Sequence, residues 1–210
     1  MKPFPTTLAS SSSFMKPENV DKISAASLHE LAEKGFAIQI GITESDISAL
    51  QALSIQESIR KYCPKDCTER FKDKPTVEKW LTKKRLVFLL KESSSGKLAG
   101  IAWAGPGTSP YIPLGKITGG VRLSEHFQGL GLATPFLAVA LEHTREKYTE
   151  ELIWYECWES NAGALHVYQK LGFEIVDARR SSRPDPKGTT ELDNRIYMQL
   201  VTHKGDQNVK

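Results

Sequence analysis

The segment Val121-Arg122-Leu123-Ser124-Glu125-His126-Phe127-Gln128-Gly129-Leu130-Gly131-Leu132-Ala133 joins a β-type run to a helical one and sets how the rest of the chain reads. Upstream of it, residues 116–123 read as a strand containing Gly119-Gly120, a pair that suggests a bulge where a backbone or ligand approaches closely. Downstream, residues 131–148 read as a helix with Pro135 in its first turn, where a missing N–H costs nothing. Gly129, Gly131 and Ala133 leave the backbone N–H groups of that helix start uncovered. Such groups are the unsatisfied donors of any helix N-terminus, and the helix dipole adds partial positive charge there. Together they suit an anion such as a diphosphate. A glycine-bearing turn that merely packs strand on helix is the other reading the segment allows.

To either side of this turn, the N-terminal part is read as hairpins and the C-terminal part as β–α units. Residues 36–40, 86–90 and 98–103 are expected strands, with Ser94-Ser95-Gly96 as hairpin punctuation between the last two. Residues 28–33 form a short helical pattern after Ser24 and Ser27, closed by Gly35. Thr43-Glu44-Ser45-Asp46 reads as a helix start, with Ile47, Leu50, Leu53 and Ile55 as its apolar stripe. Residues 62–84 are polar and cationic, with a helix expected over 76–81, and residues 105–113 read as a loop. After the long helix come a strand at 152–158, a helix at 162–171, a strand at 173–176 and, past a polar connection, a last strand at 196–201. This order predicts one α/β domain over residues 23–203, built on a mixed sheet of about six to seven strands flanked by helices. Residues 1–22, rich in Ser, Thr, Pro and Lys, cannot bury enough apolar surface to offset their ordering entropy and read as a tail, as do residues 204–210.

Composition excludes more than it assigns. A net charge of +3 carries no strong electrostatic footprint for nucleic acid. No apolar run approaches the ~18–20 residues of a membrane helix, and the N-terminus has no apolar signal-peptide core. The sparse, odd-numbered cysteines (Cys63, Cys67, Cys157) suit a reducing compartment, so a cytoplasmic protein is expected. Cys63 and Cys67 have no second pair at ligand spacing, which argues against a zinc site.

The turn matches neither G-x-G-x-x-G nor G-x-x-x-x-G-K-[ST], so the dinucleotide and P-loop fingerprints are absent. Instead, Gln128-Gly129-Leu130-Gly131-Leu132-Ala133 resembles the Q/R-x-x-G-x-G/A signature of the GNAT acetyltransferases, with Ala133 where glycine is commoner. A second block follows in the expected order: Glu156 through Asn161, then Tyr168, Leu171, Gly172 and Phe173. It is similar to the GNAT pattern of a strand ending E-x-x-x-x-N followed by a helix ending Y-x-x-L-G-F. The resemblance covers residues 85–176 well and the remainder weakly, and its spacing is most similar to the branch acetylating protein N-termini. It implies a mostly antiparallel sheet whose central strands splay at an acetyl-CoA site, and transfer of an acetyl group to an amine. It implies diphosphate contacts from Gly129, Leu130, Gly131, Leu132, Ala133 and Thr134, beside Gln128. It further implies that Val121, Arg122 and Leu123 pair through their backbone with the pantetheine amides, and that Asn161 touches the cofactor. The implied acceptor is a small amine or a protein N-terminus, no metal is involved, and a homodimer is compatible with the family.

Within that frame Glu156 is the candidate general base and Tyr168 the candidate general acid, since attack needs a neutral amine and the departing thiolate needs a proton. Each also has a plainer role open to it. Asn161 suits an N-cap, Tyr168 falls on the apolar stripe with Ala164 and Leu171, and Glu156, on one face with Trp154 and Trp158, is expected either at a sheet edge or in a polar pocket. Trp103 and Trp158 either line an acceptor pocket or pack in the core. Cys157 alternates to the opposite face from Glu156 and is not expected to act as a nucleophile. Acceptor choice is expected to lie in residues 56–84 and 104–115. The alternative function is a non-catalytic domain that holds acyl-CoA as a sensor or interaction module.

Overall fold

The computed structural model describes residues 13–14, 22–149, 151–184 and 190–200. Its framework is a mixed sheet of eight strands in the order β1-β2-β3-β4-β5-β6-β8-β7. The strands are β1 (Ser13–Phe14), β2 (Phe36–Ile40), β3 (Leu86–Glu92), β4 (Leu98–Pro106), β5 (Gly115–Leu123), β6 (Leu152–Trp158), β7 (Phe173–Pro184) and β8 (Thr190–Leu200). All neighbours are antiparallel except β5 and β6. The two-residue β1, inside the segment read as a tail, extends the seven strands legible in the sequence. The rest of residues 1–21 and residues 201–210, including the C-terminal tail and the last residue of the predicted final strand, lie outside the described residues.

Among the described residues six α-helices cover the sheet: α1 (Lys22–Glu33), α2 (Ile47–Ser54), α3 (Glu57–Tyr62), α4 (Lys74–Leu81), α5 (Ala133–Lys147) and α6 (Ala162–Lys170). Strand side chains alternate between faces, and in β3 and β4 both faces are buried. Phe88, Leu90, Ala102 and Ala104 pack with α1, α5 and α6, while Val87, Leu89, Ile101 and Trp103 pack with α2 and α4. Helices on both sides explain why β3 and β4 read as continuous apolar runs rather than as alternating ones. The α2 stripe is buried at Ile47, Leu50 and Leu53, but Ile55 is 64% exposed, because the helix ends at Ser54. The first turn of that helix is fixed by Asp46, whose carboxylate accepts from the Thr43 N–H and hydroxyl, from Gln39 Nε2 and from Lys91 Nζ.

Two expectations are corrected. The β4–β5 register runs unbroken from Gly100↔Leu123 to Pro106↔Ile117, so Gly119-Gly120 is no bulge. Absent side chains there serve close packing instead: a Cβ on Gly119 would collide with the Trp103 carbonyl oxygen and meet the Tyr155 hydroxyl at 2.7 Å, and one on Gly120 would meet Arg122 at 2.8 Å. The polar connection before the last strand is also shorter than expected, because β7 and β8 continue as a long hairpin paired as far as Pro184↔Thr190. Its charged residues hid it from a reading based on apolar alternation.

Candidate active site

β5 and β6 run side by side only at their starts, through Gly115↔Leu152, Ile117↔Ile153 and Thr118↔Trp154. Beyond Thr118, β5 stays with β4 while β6 stays with β8 from Trp154 to Trp158. The strands therefore splay and leave a cleft. The Ser124 N–H donates to the Ala99 carbonyl. By the alternation of an antiparallel pair, the peptide groups of Val121 and Leu123 then face away from β4, towards the cleft. Both carbonyls are already engaged, that of Val121 by Arg122 Nη1 at 3.1 Å and that of Leu123 by Gln128 Nε2 at 2.9 Å, and the Gln128 amide also reaches Ser58 Oγ. Gln128 thus ties the end of β5 to α3.

The turn beyond β5 arrives at α5 through two left-handed glycines, Gly129 (φ 77°) and Gly131 (φ 71°), a conformation that L side chains rarely adopt. Leu132 is the N-cap and supplies no side-chain acceptor, so the first N–H groups of α5 remain open to a ligand. The helix begins at Ala133, two residues later than predicted, because the glycines belong to the turn.

Cleft, turn and the far side of β6 share one cavity of about 1290 Å³. Val121, Arg122, Leu123, Gln128 and Gly129 line its β5 side. Gly131, Leu132, Ala133 and Thr134 line the α5 start, and Glu156, Asn161 and Tyr168 line the opposite wall. Of the residues named from the sequence as catalytic or cofactor-binding, only Leu130 lies off this surface, 52% exposed.

Asn161 is the N-cap of α6, its Oδ1 accepting from the Ala164 N–H at 3.3 Å. Tyr168 is 3% exposed, packed edge-on to Tyr155 at 5.1 Å and tilted against Phe173 at 5.8 Å. Burial drives its phenol well above the ordinary value, opposed by the charge of Arg122, so the hydroxyl holds its proton at neutral pH. Glu156, on the opposite face of β6 from Tyr155 and Cys157, accepts from Arg195 at 2.6 Å. Burial lowers the affinity of Arg195 for its proton, but the Glu156 bond and charge outweigh it and the net shift is upward. Trp103 both packs and lines the cavity, edge-on to Trp80 at 5.8 Å. Trp158 lines the cavity beneath the Arg195 guanidinium, 4.6 Å from its ring centre.

The segment at 62–84 holds what sequence patterning missed. After α3 a π-helical turn, Asp66–Arg70, places the buried Asp66 carboxylate between Arg70 (2.6 Å) and Arg122 (2.9 Å). Arg122 therefore contributes a buried ion pair as well as backbone. Although burial works against its charge, Asp66 raises its pKa overall. The β7–β8 hairpin closes the same side, with Arg183 bonded to Asp193, to Glu191 and to the Lys61 carbonyl of α3. Tyr62 Oη donates to the Ser160 carbonyl at 3.0 Å. Asp66 and Arg122, Tyr62 and Ser160, and Arg183 and Lys61 lie far apart in sequence, and no local pattern marks those pairs. The three cysteines are free, with Cys67 Sγ directed at the Pro64 carbonyl. Among the described residues no group of three or more His, Cys, Asp or Glu could hold a metal ion, and no helix is long and apolar enough to cross a membrane.

The architecture is that of an α/β protein with a cavity between splayed parallel strands, beside an uncapped helix start. Residues 52–173 match the family model described as "Acetyltransferase (GNAT) family". The chain belongs to that family. The mycothiol acetyltransferase of Saccharomonospora viridis is 34% identical over 95 residues, 43% of this chain and 30% of that protein. The ribosomal protein bS18-alanine N-acetyltransferase of Haemophilus influenzae is 36% identical over 72 residues, 34% of this chain and 47% of that protein. The chain thus spans less than half the length of these curated relatives. Among solved structures, spermidine N-acetyltransferase from Vibrio cholerae, in complex with CoA and spermine, superposes with a TM-score of 0.59 over 80% of this chain and 96% of that one, at 16% identity. Ribosomal-protein-S5-alanine acetyltransferase from Vibrio fischeri gives 0.60 over 81% and 94%, at 13% identity. At such identities these likenesses establish the fold.

Proposed function

We propose that the protein transfers an acetyl group from acetyl-CoA to a primary amine by direct attack, without a covalent enzyme intermediate. The observation that carries this reading is that the open amides of β5, the uncapped start of α5, Glu156 and Tyr168 all border one cavity. The donor chemistry fits the co-substrate. N–H groups from Gly129 to Thr134 hold its diphosphate. The peptide groups of Val121 and Leu123 hold its amide-bearing arm as an added strand would. Asn161 and Tyr168 border the same arm from α6. Bound there, acetyl-CoA supplies the activated carbonyl and the thiol leaving group.

The acceptor nitrogen must be neutral to attack, yet α-amines titrate near ~8 and lysine-like amines near ~10.4. Arg195 holds one oxygen of Glu156, leaving the carboxylate oriented to take the amine proton directly or through one water. As the carbon–nitrogen bond forms and the carbon–sulfur bond breaks, a cleft-facing N–H near Leu123 stabilises the oxyanion. Tyr168, kept protonated by burial, gives its proton to the departing sulfur.

Titration calorimetry with CoA and acetyl-CoA, followed by thiol-release assays over a panel of amines and N-terminal peptides, tests the reading. Binding with amine-dependent thiol release is expected. Binding without turnover by any acceptor would make the protein an acyl-CoA holder, and no affinity for either ligand would remove the reading altogether.

A further inference from the structure

The face of the sheet that carries Glu156 also carries Trp103, and around Trp103 positive charge exceeds negative. The Arg85 guanidinium lies 4.1 Å from the centre of the Trp103 ring and 4.9 Å from that of Trp80, while Arg70 lies 5.9 Å from Trp103. Arg70 and Arg122 share the carboxylate of Asp66, and Arg195 has Glu156. Arg85 has no such partner: its Nε and Nη1 are buried without a hydrogen bond among the described residues. Arg85, Arg70 and Trp103 all border the cavity. Burial, aided by the neighbouring Arg70 charge, pushes the Arg85 guanidinium down to about 10. Orphaned buried donors on a cation are costly, and a planar fork of this kind is suited to a carboxylate.

We propose that Arg85, packed against the rings of both Trp80 and Trp103 and assisted by Arg70, binds a carboxylate of the acceptor, so that the substrate is a small amine carrying its own acid group. This rests on the acetyl-transfer reading, which assigns the Glu156 end of the chamber to the amine. It predicts discrimination against polyamines, whose extra ammonium groups would meet Arg70 and Arg85 instead of a counter-charge.

Matched pairs of amino acids and their α-amides, with spermidine as a third arm, would be compared in the thiol-release assay for the wild type, Arg85→Gln and Arg85→Lys. In parallel, tryptophan fluorescence of the CoA-saturated protein would be titrated with N-acetyl amino acids and their amides. The acid member of each pair is expected to be preferred by about tenfold or more, in kcat/KM and in binding. Arg85→Gln should abolish the preference and Arg85→Lys should retain part of it, with CoA affinity unchanged in both. Equal handling of acid and amide, a preference for spermidine, or an equal loss on both members in Arg85→Gln would each overturn the proposal. Should no amine release thiol, the acetyl-transfer reading fails by itself, and the fluorescence titration, repeated without CoA if CoA does not bind, still decides the carboxylate site. If Arg85→Gln does not fold, the acid–amide ratios of the wild type and of Arg85→Lys decide between the same outcomes.

Discussion

Tyr168 is a residue whose packing and proposed chemistry can be separated by one atom. Its ring is held by Tyr155 and Phe173, so Tyr168→Phe keeps the packing and removes only the hydroxyl. Stability should change by less than about 1 kcal/mol, while kcat falls about 100-fold and acetyl-CoA affinity stays within about twofold. Steady-state kinetics beside calorimetry checks this, and an unchanged kcat would return Tyr168 to a purely structural role. Glu156→Gln should lower kcat/KM at least about tenfold near neutral pH, where the acceptor amine is protonated and needs a base. The deficit should shrink as pH rises past the amine's own pKa, since the acceptor then arrives deprotonated. A pH–rate profile parallel to that of the wild type would point to a different base. Both residues can be nominated from the sequence because each sits at a fixed offset inside a local motif. Their partners cannot: the Arg195 that orients Glu156 comes from β8, and pairing across a sheet leaves no trace in local spacing.

At the level of elements, the splay of β5 from β6 is what makes a site out of a sheet, and Gly119 lies where the two separate. A Cβ there would meet the Trp103 carbonyl and the Tyr155 ring and hydroxyl, all buried and unable to retreat. Gly119→Ala should cost about 1–3 kcal/mol in urea denaturation and weaken CoA binding by displacing β5. The join between β2, β3 and α2 depends on Asp46, which is 3% exposed. Burial raises its pKa, but the bonds from Lys91, Thr43 and Gln39 outweigh it, and the folded value lies below the unfolded one. The carboxylate therefore contributes stability that is fully present above the unfolded pKa of ~3.9 and lost as pH falls through the folded pKa. Asp46→Asn should destabilise by about 1–3 kcal/mol at pH 7. The gap from wild type should narrow below about pH 4, as read by thermal melts across pH. A gap constant down to pH 3 would show that the hydrogen-bond geometry, and not the charge, is what matters. The Thr43–Asp46 cap was readable from the sequence because it spans three residues, whereas Lys91 and Gln39 reach Asp46 only once the sheet has formed.

For the molecule in its entirety, the cavity touches both helical layers and the divided centre of the sheet, so a ligand bound there couples α5, β5 and β6. A ligand that binds only the folded state stabilises it by about 2.7 kcal/mol at a concentration of about 100 Kd. For a chain of this size that corresponds to a rise in Tm of roughly 5–10 °C. Acetyl-CoA and CoA should raise Tm in differential scanning calorimetry, while ATP and NAD at equal concentration should not. Seven principal strands, the β–α order of the second half, the glycine turn into α5 and the two motifs that mark the family were all written in the order of residues. Each of these is local, carried by apolar period, cap chemistry and spacing. The charge around the cavity, by contrast, arises only on folding. Asp66 meets Arg122, Glu156 meets Arg195, Arg183 crosses to α3, and Arg85 stacks on Trp80 and Trp103 without a carboxylate. Pairings of that kind depend on which surfaces the sheet order brings together, and buried charge has consequences only where neighbouring atoms exclude water.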